Sequence, residues 1–149
     1  MHTMILVRPG YHRLQVFSSQ GKEQIKELSS RLKLFFPNER PLVWSDSGDA
    51  ARESAKIIAA AFEVEFYSEE PRKAKLINSP GFIAGLKERL KETGDAHVVI
   101  MVSQNDHPLP VIQHFFGHER KAVLYAPSIL GDANAAIFHG ARKTIEIVC

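Results

Sequence analysis

The stretch Met4-Ile5-Leu6-Val7-Arg8-Pro9-Gly10 decides the fold, because four consecutive apolar residues lead directly into arginine, proline and glycine. A short apolar run without alternation is typical of a strand that is buried on both faces, as in a parallel sheet covered by helices. We therefore predict a buried strand over Thr3–Val7. Arg8 then stands at the carboxyl end of that strand.

Strand and helix patterns alternate along the rest of the chain. Apolar residues at helical spacing predict the helices, and prolines and glycines mark their ends. The predicted helices are Gly21 to Leu34, Asp49 to Phe62, Ser79-Pro80 to Gly94 and Pro108 to Phe116. The predicted strands are Pro41 to Ser45, Val64 to Tyr67 and His97 to Ser103, followed by a hairpin of Ala133 to Phe138 and Lys143 to Val148.

This order of elements predicts a three-layer α/β/α sandwich around a mostly parallel sheet, with an antiparallel hairpin at the C-terminus. The segment His97 to Ser103 is the strongest strand pattern and should be central. In such sheets, ligands bind at the carboxyl ends of the strands. Arg8, Ser45 and Ser103 each stand at such an end, so we expect them to converge on one cleft.

Length and composition limit the possible classes of protein. A chain of 149 residues, 44% hydrophobic and 24% charged, is expected to form one domain over residues 1–149 with one core. The net charge of +2 and the lack of a dense Lys/Arg block argue against a nucleic-acid-binding protein. The nearest basic cluster, Arg72 to Lys75, is interpreted as a solvated loop.

Cysteine usage and hydropathy bear on the compartment. Cys149 is the only cysteine, so no intramolecular disulfide can form, which fits a reducing environment. No apolar run approaches the length of a membrane span, and the first apolar run is too short for a signal peptide. We therefore expect a cytoplasmic protein without a membrane partner, and the sequence indicates no cofactor.

Four segments together carry a resemblance to a known family. These segments are Leu6 to Gly10, Gly21 to Gln24, Ser45 to Ala55, and Val99 to Gln104 with Pro108 and Gly117 following. In that order, they are similar to four segments of the histidine phosphatases: the Arg-His-Gly opening, the Gly-x-x-Gln segment, the Ser-Pro-rich turn with Arg and Thr-Ala, and the strand ending in Ser-His. The chain resembles the small phosphohistidine-phosphatase-like branch of this phosphoglycerate-mutase-like superfamily, and the resemblance implies that fold.

The resemblance also implies a catalytic site, and this chain departs from it. In the family, two histidines and two arginines surround the phosphoryl group, one histidine attacks phosphorus, and a carboxylate protonates the leaving group. Pro9 stands at the position of the attacking histidine, Ala50 at the second arginine and Gln104 at the second histidine. Of the four residues, only Arg8 remains. Proline offers no nucleophilic nitrogen, alanine has no donor, and glutamine never carries positive charge.

These replacements predict a catalytically inactive protein that acts as a binding or regulatory module. Removing a nucleophile from a catalytic unit costs on the order of 10⁶ in rate. The expected occupant of the cleft is a small anion or a side chain of a protein partner, held by Arg8. A further hypothesis is a structural protein that forms a homodimer through the edge of the C-terminal hairpin.

The alternative is a phosphatase of the phosphohistidine or phosphomonoester type that uses relocated residues. His12 and His107 lie three residues after Pro9 and Gln104, in stretches predicted as loop or helix start. The other interpretation is that both are loop histidines without a catalytic role. Asp106 either orients His107 or caps the following helix.

Three more positions bear on this alternative. Arg52 lies two positions beyond Ala50, which is about 200° around a helix, so it either reaches the cleft or is a surface arginine. Glu69, with its neighbour Glu70, is either the leaving-group acid or part of a solvated turn. His114 and His118 have the spacing of a helical metal pair, but Gly117 interrupts the helix and no third ligand is evident, so we predict no metal.

Overall fold

The structure is a computed structural model that describes residues 3–13, 16–68, 80–94, 96–103, 131–140 and 144–149. Its elements follow in this order: β1 Thr3–Val7, β2 His12–Arg13, β3 Val16–Phe17, α1 Ser19–Phe35, β4 Leu42–Ser45, α2 Asp49–Phe62, β5 Phe66–Ser68, α3 Pro80–Glu92, β6 Val98–Val102, β7 Ala135–His139 and β8 Thr144–Val148. Among these residues, no helix is long and apolar enough to cross a membrane.

Six of the described strands form one sheet in the order β5-β4-β6-β1-β7-β8. The pairs β4–β5, β4–β6 and β1–β6 are parallel, and β7 and β8 are antiparallel to their neighbours. This mixed sheet with a C-terminal hairpin confirms the predicted fold class and the central place of β6. All residues of β1 and β6 are buried, which explains why both read as unbroken apolar runs.

Helices cover both faces of the sheet. Alternate residues of β1 point to opposite faces, so Ile5 joins one apolar cluster and Met4 the other. The first cluster contains the buried faces of α1 and α2, and the second contains Leu86 and Leu90 of α3. Each fully buried side chain of this size stabilises the fold by about 1.5–3 kcal/mol relative to exposure. The sheet is therefore held between two helical layers, which leaves its edges and the ends of its strands for a site.

Local chemistry sets the ends of the helices. Ser18 caps α1, because its Oγ accepts a hydrogen bond of 2.9 Å from the Gly21 N–H, so the helix begins two residues before the predicted start. The bounds of α2 agree with the prediction. Glu63 ends α2 in the left-handed region at φ 55°, where its N–H reaches back to Ala60 O at 3.2 Å.

Other elements differ from the predictions. The strand predicted over Val64 to Tyr67 is found at Phe66–Ser68, because residues 63 and 64 complete the end of α2. The first strand of the hairpin begins at Ala135 instead of Ala133, since Ala133 has a φ of 55° in the preceding turn. The small hairpin of β2 and β3 was not predicted. The helix predicted over Pro108 to Phe116 lies outside the described residues.

Candidate functional site

Three strands of the sheet end side by side. The Ser103 N–H donates to Val7 O at 3.0 Å, and the Asp46 N–H donates to Val102 O at 3.0 Å. These bonds extend the pairing of β1, β6 and β4 by one residue and align their carboxyl ends at one edge of the sheet. This edge is where α/β sheets bind ligands, so it is the candidate site.

Arg8 and Ser103 meet at this edge, which confirms that the two residues converge. Arg8 Nη1 donates a hydrogen bond of 3.1 Å to Ser103 O, between residues 95 positions apart in the chain. Ser45 lies beside Val102 in the register of β4 and β6 and is fully buried. Its Oγ has no hydrogen-bond partner among the described residues, so the structure assigns it no contact with Arg8.

Asp46 joins the same group, although no sequence motif predicted it. The Ser103 hydroxyl donates to Asp46 Oδ2, while the Ser103 carbonyl oxygen accepts from Arg8. One buried serine therefore contacts both a guanidinium and a carboxylate. The signal that could have found Asp46 is its position directly after the strand-terminal Ser45, since residues at strand ends of such sheets reach the ligand edge.

The backbone of Arg8 and Pro9 is held by the turn that precedes β7. The Arg8 N–H donates to Asn134 O at 2.9 Å, and the Ala133 N–H donates to Pro9 O at 3.0 Å. Pro9 is buried and, as a proline, has no N–H of its own. Neither residue therefore offers a backbone donor to a ligand.

The next two residues of the loop are also engaged. The Gly10 N–H donates to Ser54 Oγ at 3.2 Å, and the Tyr11 N–H donates to Gln24 Oε1 at 2.9 Å. Every backbone N–H between positions 8 and 11 therefore has an acceptor within the protein. A loop of this kind lacks the converging free N–H groups that cradle phosphates in anion sites.

A contact between two glycines fixes this loop against the start of α1. A Cβ placed on Gly10 would lie 2.3 Å from Gly21 O, and a Cβ on Gly21 would lie 2.3 Å from Tyr11 O. The neighbouring atoms belong to the backbone and have little freedom to move away. Ser18 strengthens the contact, because its hydroxyl donates to Tyr11 O at 2.7 Å. The position of Pro9 is thus determined by both the sheet and α1.

The first turn of α2 supplies a methyl group where the family resemblance implies an arginine. Ala50 is 0% exposed, so its side chain is packed into the protein and carries no donor. Arg52, two positions further along α2, is exposed. The two side chains thus differ in environment as expected for positions about 200° apart on a helix.

The other candidates are described only in part. His12 lies in β2 opposite Phe17, so its prediction as loop or helix start is wrong, because the two backbones pair there. For His12 the structure describes the backbone alone. Outside the described residues lie Glu69, Glu70, Gln104, Asp106, His107, His114 and His118. Within the described ranges, no group of three or more His, Cys, Asp or Glu side chains could hold a metal ion.

A cavity of about 630 Å³ lies at the other end of β4. Because Ser45 ends β4 at the candidate site and Leu42 begins it, the cavity and the site are on opposite edges of the sheet. None of the candidate residues that the structure describes lines the cavity. Within the described ranges, the cavity is lined by Arg40, Pro41, Leu42, Glu63, Val64, Glu65, Tyr67, Glu92 and Thr93.

Comparisons with known proteins agree with this architecture. No protein-family model and no curated protein matches the sequence significantly. Among solved structures, the protein histidine phosphatase SixA complexed with tungstate matches with 12% identity and a TM-score of 0.63, over 99% of this chain and 94% of that one. A mycobacterial glucosyl-3-phosphoglycerate phosphatase complexed with VO3 matches with 13% identity and a TM-score of 0.62, over 99% and 97%.

A phosphoglycerate mutase from Plasmodium falciparum matches with 16% identity and a TM-score of 0.58, over 99% of this chain and 88% of the mutase. Sequence identities this low concern the fold alone. They confirm the fold that was predicted from the Arg8-Pro9-Gly10 opening and the segments that follow it. The chain has the phosphoglycerate-mutase-like α/β fold of the histidine phosphatases.

Proposed function

We propose that this protein is a catalytically inactive member of the small phosphohistidine-phosphatase-like branch, acting as a binding or regulatory module. The observation that carries the proposal is Pro9, buried directly after Arg8 at the end of β1. This is the position of the attacking histidine in the family it resembles. The proline nitrogen is part of an amide bond and cannot accept a phosphoryl group, and losing a nucleophile costs on the order of 10⁶ in rate.

The surroundings of Pro9 support the same proposal. Phosphoryl transfer depends on preorganised donors around the equatorial oxygens. Here the N–H groups of the loop are used internally, and Ala50 contributes a packed methyl group. Each charge-assisted hydrogen bond contributes about 1.5–3 kcal/mol. Losing two of them weakens phosphate binding by roughly 10² to 10⁴, since about 1.4 kcal/mol is tenfold.

We assign the binding role to the carboxyl ends of β1, β4 and β6, where Arg8 and Asp46 both contact Ser103. The occupant is a small anion or a side chain of a protein partner that contacts the Arg8 guanidinium. We further propose that residues 1–149 act as one domain in the cytoplasm. Neither a nucleic acid nor a membrane surface is part of this function.

A hydrolysis assay tests the proposal. Purified protein is incubated with an aryl phosphate and with a phosphohistidine protein, and the Arg8→Ala variant serves as the control. We expect no release of phosphate above background from either protein. Turnover by the wild type that Arg8→Ala abolishes would overturn the proposal.

Labelling of the protein by the same phosphorylated substrates tests the alternative, a phosphatase with a relocated histidine. Such an enzyme would form a phosphoenzyme that is labile in acid and stable in alkali, as expected for phosphohistidine. Labelling that disappears in His12→Ala or His107→Ala would identify the nucleophile. Absence of any labelled protein supports the inactive binding module.

A further inference from the structure

We propose that the cavity at the amino end of β4 binds an arginine side chain of a protein partner. The cavity lies at the edge of the sheet opposite Arg8, so this is a second binding site, separate from the one at the strand ends. The inference does not depend on the proposed function and goes beyond it.

The cavity combines apolar lining with an exposed polar rim. Pro41 and Leu42 are buried lining residues, Val64 is half-buried, and the charged lining residues are all exposed. Small-molecule sites bury about 70–90% of the surface of their ligand. A site with an open rim therefore suits a single side chain that a larger partner presents from outside.

Carboxylates dominate the charge of the lining. Glu63, Glu65 and Glu92 supply three carboxylates, whereas Arg40 supplies the one guanidinium among the described lining residues. Arg40 Nη2 donates to the backbone oxygen of Glu63 at 3.4 Å, so its described bond leads to a carbonyl group. Within the described ranges, neither Glu63 nor Glu65 forms an ion pair. Two carboxylates of the lining can therefore receive a cation.

The end of α2 adds to the negative potential of the cavity. The C-terminus of a helix carries about half a negative charge, and α2 has no basic residue in its last turn. Lys33 of α1 is a nearby cation, but its Nζ lies over the Phe62 ring, 5.0 Å from the centroid. The helix end and the carboxylates of Glu63 and Glu65 therefore act together on a bound cation.

The protein already holds one guanidinium against this lining. The guanidinium carbon of Arg89 lies 4.5 Å from the centroid of the Tyr67 ring, and its Nη1 lies 3.1 Å from Glu92 Oε2. A guanidinium suits such a place better than an ammonium group, because it is planar, weakly hydrated and able to pair with both carboxylate oxygens. Val64 and Glu65 offer a similar combination of apolar surface and carboxylate to a second guanidinium.

The described residues are sufficient to define this part of the cavity. All nine lining residues belong to stretches that the structure describes without a break. The long undescribed segment 69–79 follows Ser68, and the segment 104–130 follows Ser103. Both serines stand at the carboxyl ends of their strands, which is the opposite edge of the sheet.

The expected affinities follow from ordinary magnitudes. An exposed ion pair contributes about 1.4- to 5-fold to affinity, so losing both free carboxylates should weaken binding by roughly 3- to 10-fold. Each CH₂ group of the arginine stem that is buried against the apolar lining contributes roughly fourfold. Two buried CH₂ groups therefore contribute at least about tenfold.

NMR titrations with a blocked Gly-Arg-Gly peptide test the proposal. We expect chemical shift changes at the backbone amides of lining residues, and binding about 3- to 10-fold weaker in Glu63→Gln/Glu65→Gln. Glu53→Gln is the matched control, because Glu53 is exposed on α2 ten positions before Glu63. That separation is about 15 Å along a helix, beyond the Debye length of about 10 Å at 0.1 M salt, so the change should stay below about 1.5-fold.

A conservative variant separates charge from folding. Glu65→Asp keeps the carboxylate and should bind within about twofold of the wild type, and urea unfolding of each variant establishes that it is folded. Absence of shift changes at the cavity in the wild type would overturn the inference. An equal loss of affinity in the folded Glu53→Gln protein would overturn it as well.

Two further ligands test the identity of the occupant. A blocked Gly-Lys-Gly peptide should bind more weakly than Gly-Arg-Gly, and equal affinity would refute the preference for guanidinium. Methylguanidinium lacks the apolar stem and should bind at least about tenfold more weakly than Gly-Arg-Gly. Equal affinity for methylguanidinium would refute the assignment to an arginine side chain. The hydrolysis assay concerns Pro9 at the other edge, so its result leaves each of these outcomes unchanged.

Discussion

Replacing Gly21 by alanine should destabilise the protein, although alanine is the better helix former. Gly21 lies in the first turn of α1, and in an open helix the change to alanine stabilises by about 0.5–1 kcal/mol. Here the new Cβ would lie 2.3 Å from Tyr11 O and 2.9 Å from Tyr11 N. An ordinary van der Waals contact of a Cβ atom is 3.4–4 Å, so the loop must move by about 1 Å.

The cost of that movement can be estimated from the bonds that hold the loop. The movement would weaken the Tyr11 N–H bond to Gln24 and the Gly10 N–H bond to Ser54, each of which contributes about 0.5–1.5 kcal/mol. Overpacking of a close contact costs about 1–3 kcal/mol. After the gain in helix propensity, we expect a net loss of about 1–3 kcal/mol. For a chain of this size, each kcal/mol lowers the melting temperature by about 2–4 °C.

Urea unfolding shows whether Gly21→Ala lowers or raises the free energy of unfolding. Ser30→Ala serves as the control, because Ser30 is exposed on the same helix and its change to alanine should be neutral or slightly stabilising. Gly10→Ala should destabilise as well, and the double variant should lose less than the sum, since one displacement of the loop relieves both contacts. A Gly21→Ala protein as stable as the wild type would refute this account of the loop.

Three further changes test other parts of the structure. Ser54→Ala removes the acceptor of the buried Gly10 N–H and should lower the free energy of unfolding in urea by about 1–3 kcal/mol. Ala50→Arg places a guanidinium at a position where the side chain is 0% exposed, so calorimetry should show a loss of stability of at least about 3 kcal/mol. An unfolding transition like that of the wild type would mean that the arginine side chain reaches solvent from this turn. Glu146→Gln removes the carboxylate that lies 2.8 Å from His139 Nε2. Because the Glu146 side chain is 54% exposed, thermal unfolding should show a stability change below about 1 kcal/mol. A larger loss of stability would contradict the expectation that this ion pair is weak.

Sequence patterns predicted well the elements that a short run of consecutive residues is enough to identify. The strand Thr3–Val7 is buried on both faces, so its unbroken apolar run was sufficient to predict it. The helix Asp49–Phe62 combines an acidic first residue with alanine-rich turns, which favours a helix independently of its surroundings. By contrast, β2 and β3 contain two residues each, too few for any periodicity to appear.

The contacts of the candidate site could not be predicted in the same way. Arg8 and Pro9 were found from a motif, but the partners of the site lie far away in sequence. The Ser103–Asp46 bond joins residues 57 positions apart, and the Gly10–Ser54 bond joins residues 44 positions apart. Such pairs depend on the register of the sheet and on the angle at which α2 approaches it, neither of which a local pattern contains.

The position of β1 in the sheet has a consequence for synthesis on the ribosome. Its two neighbours, β6 and β7, begin at residues 98 and 135, so β1 is made long before either partner exists. At about 5–20 residues per second, some 5–20 s pass between the translation of β1 and that of β6. Among the described strands of the main sheet, β1 waits longest for a neighbour, and its apolar run is the segment that a chaperone would have to shield on the nascent chain.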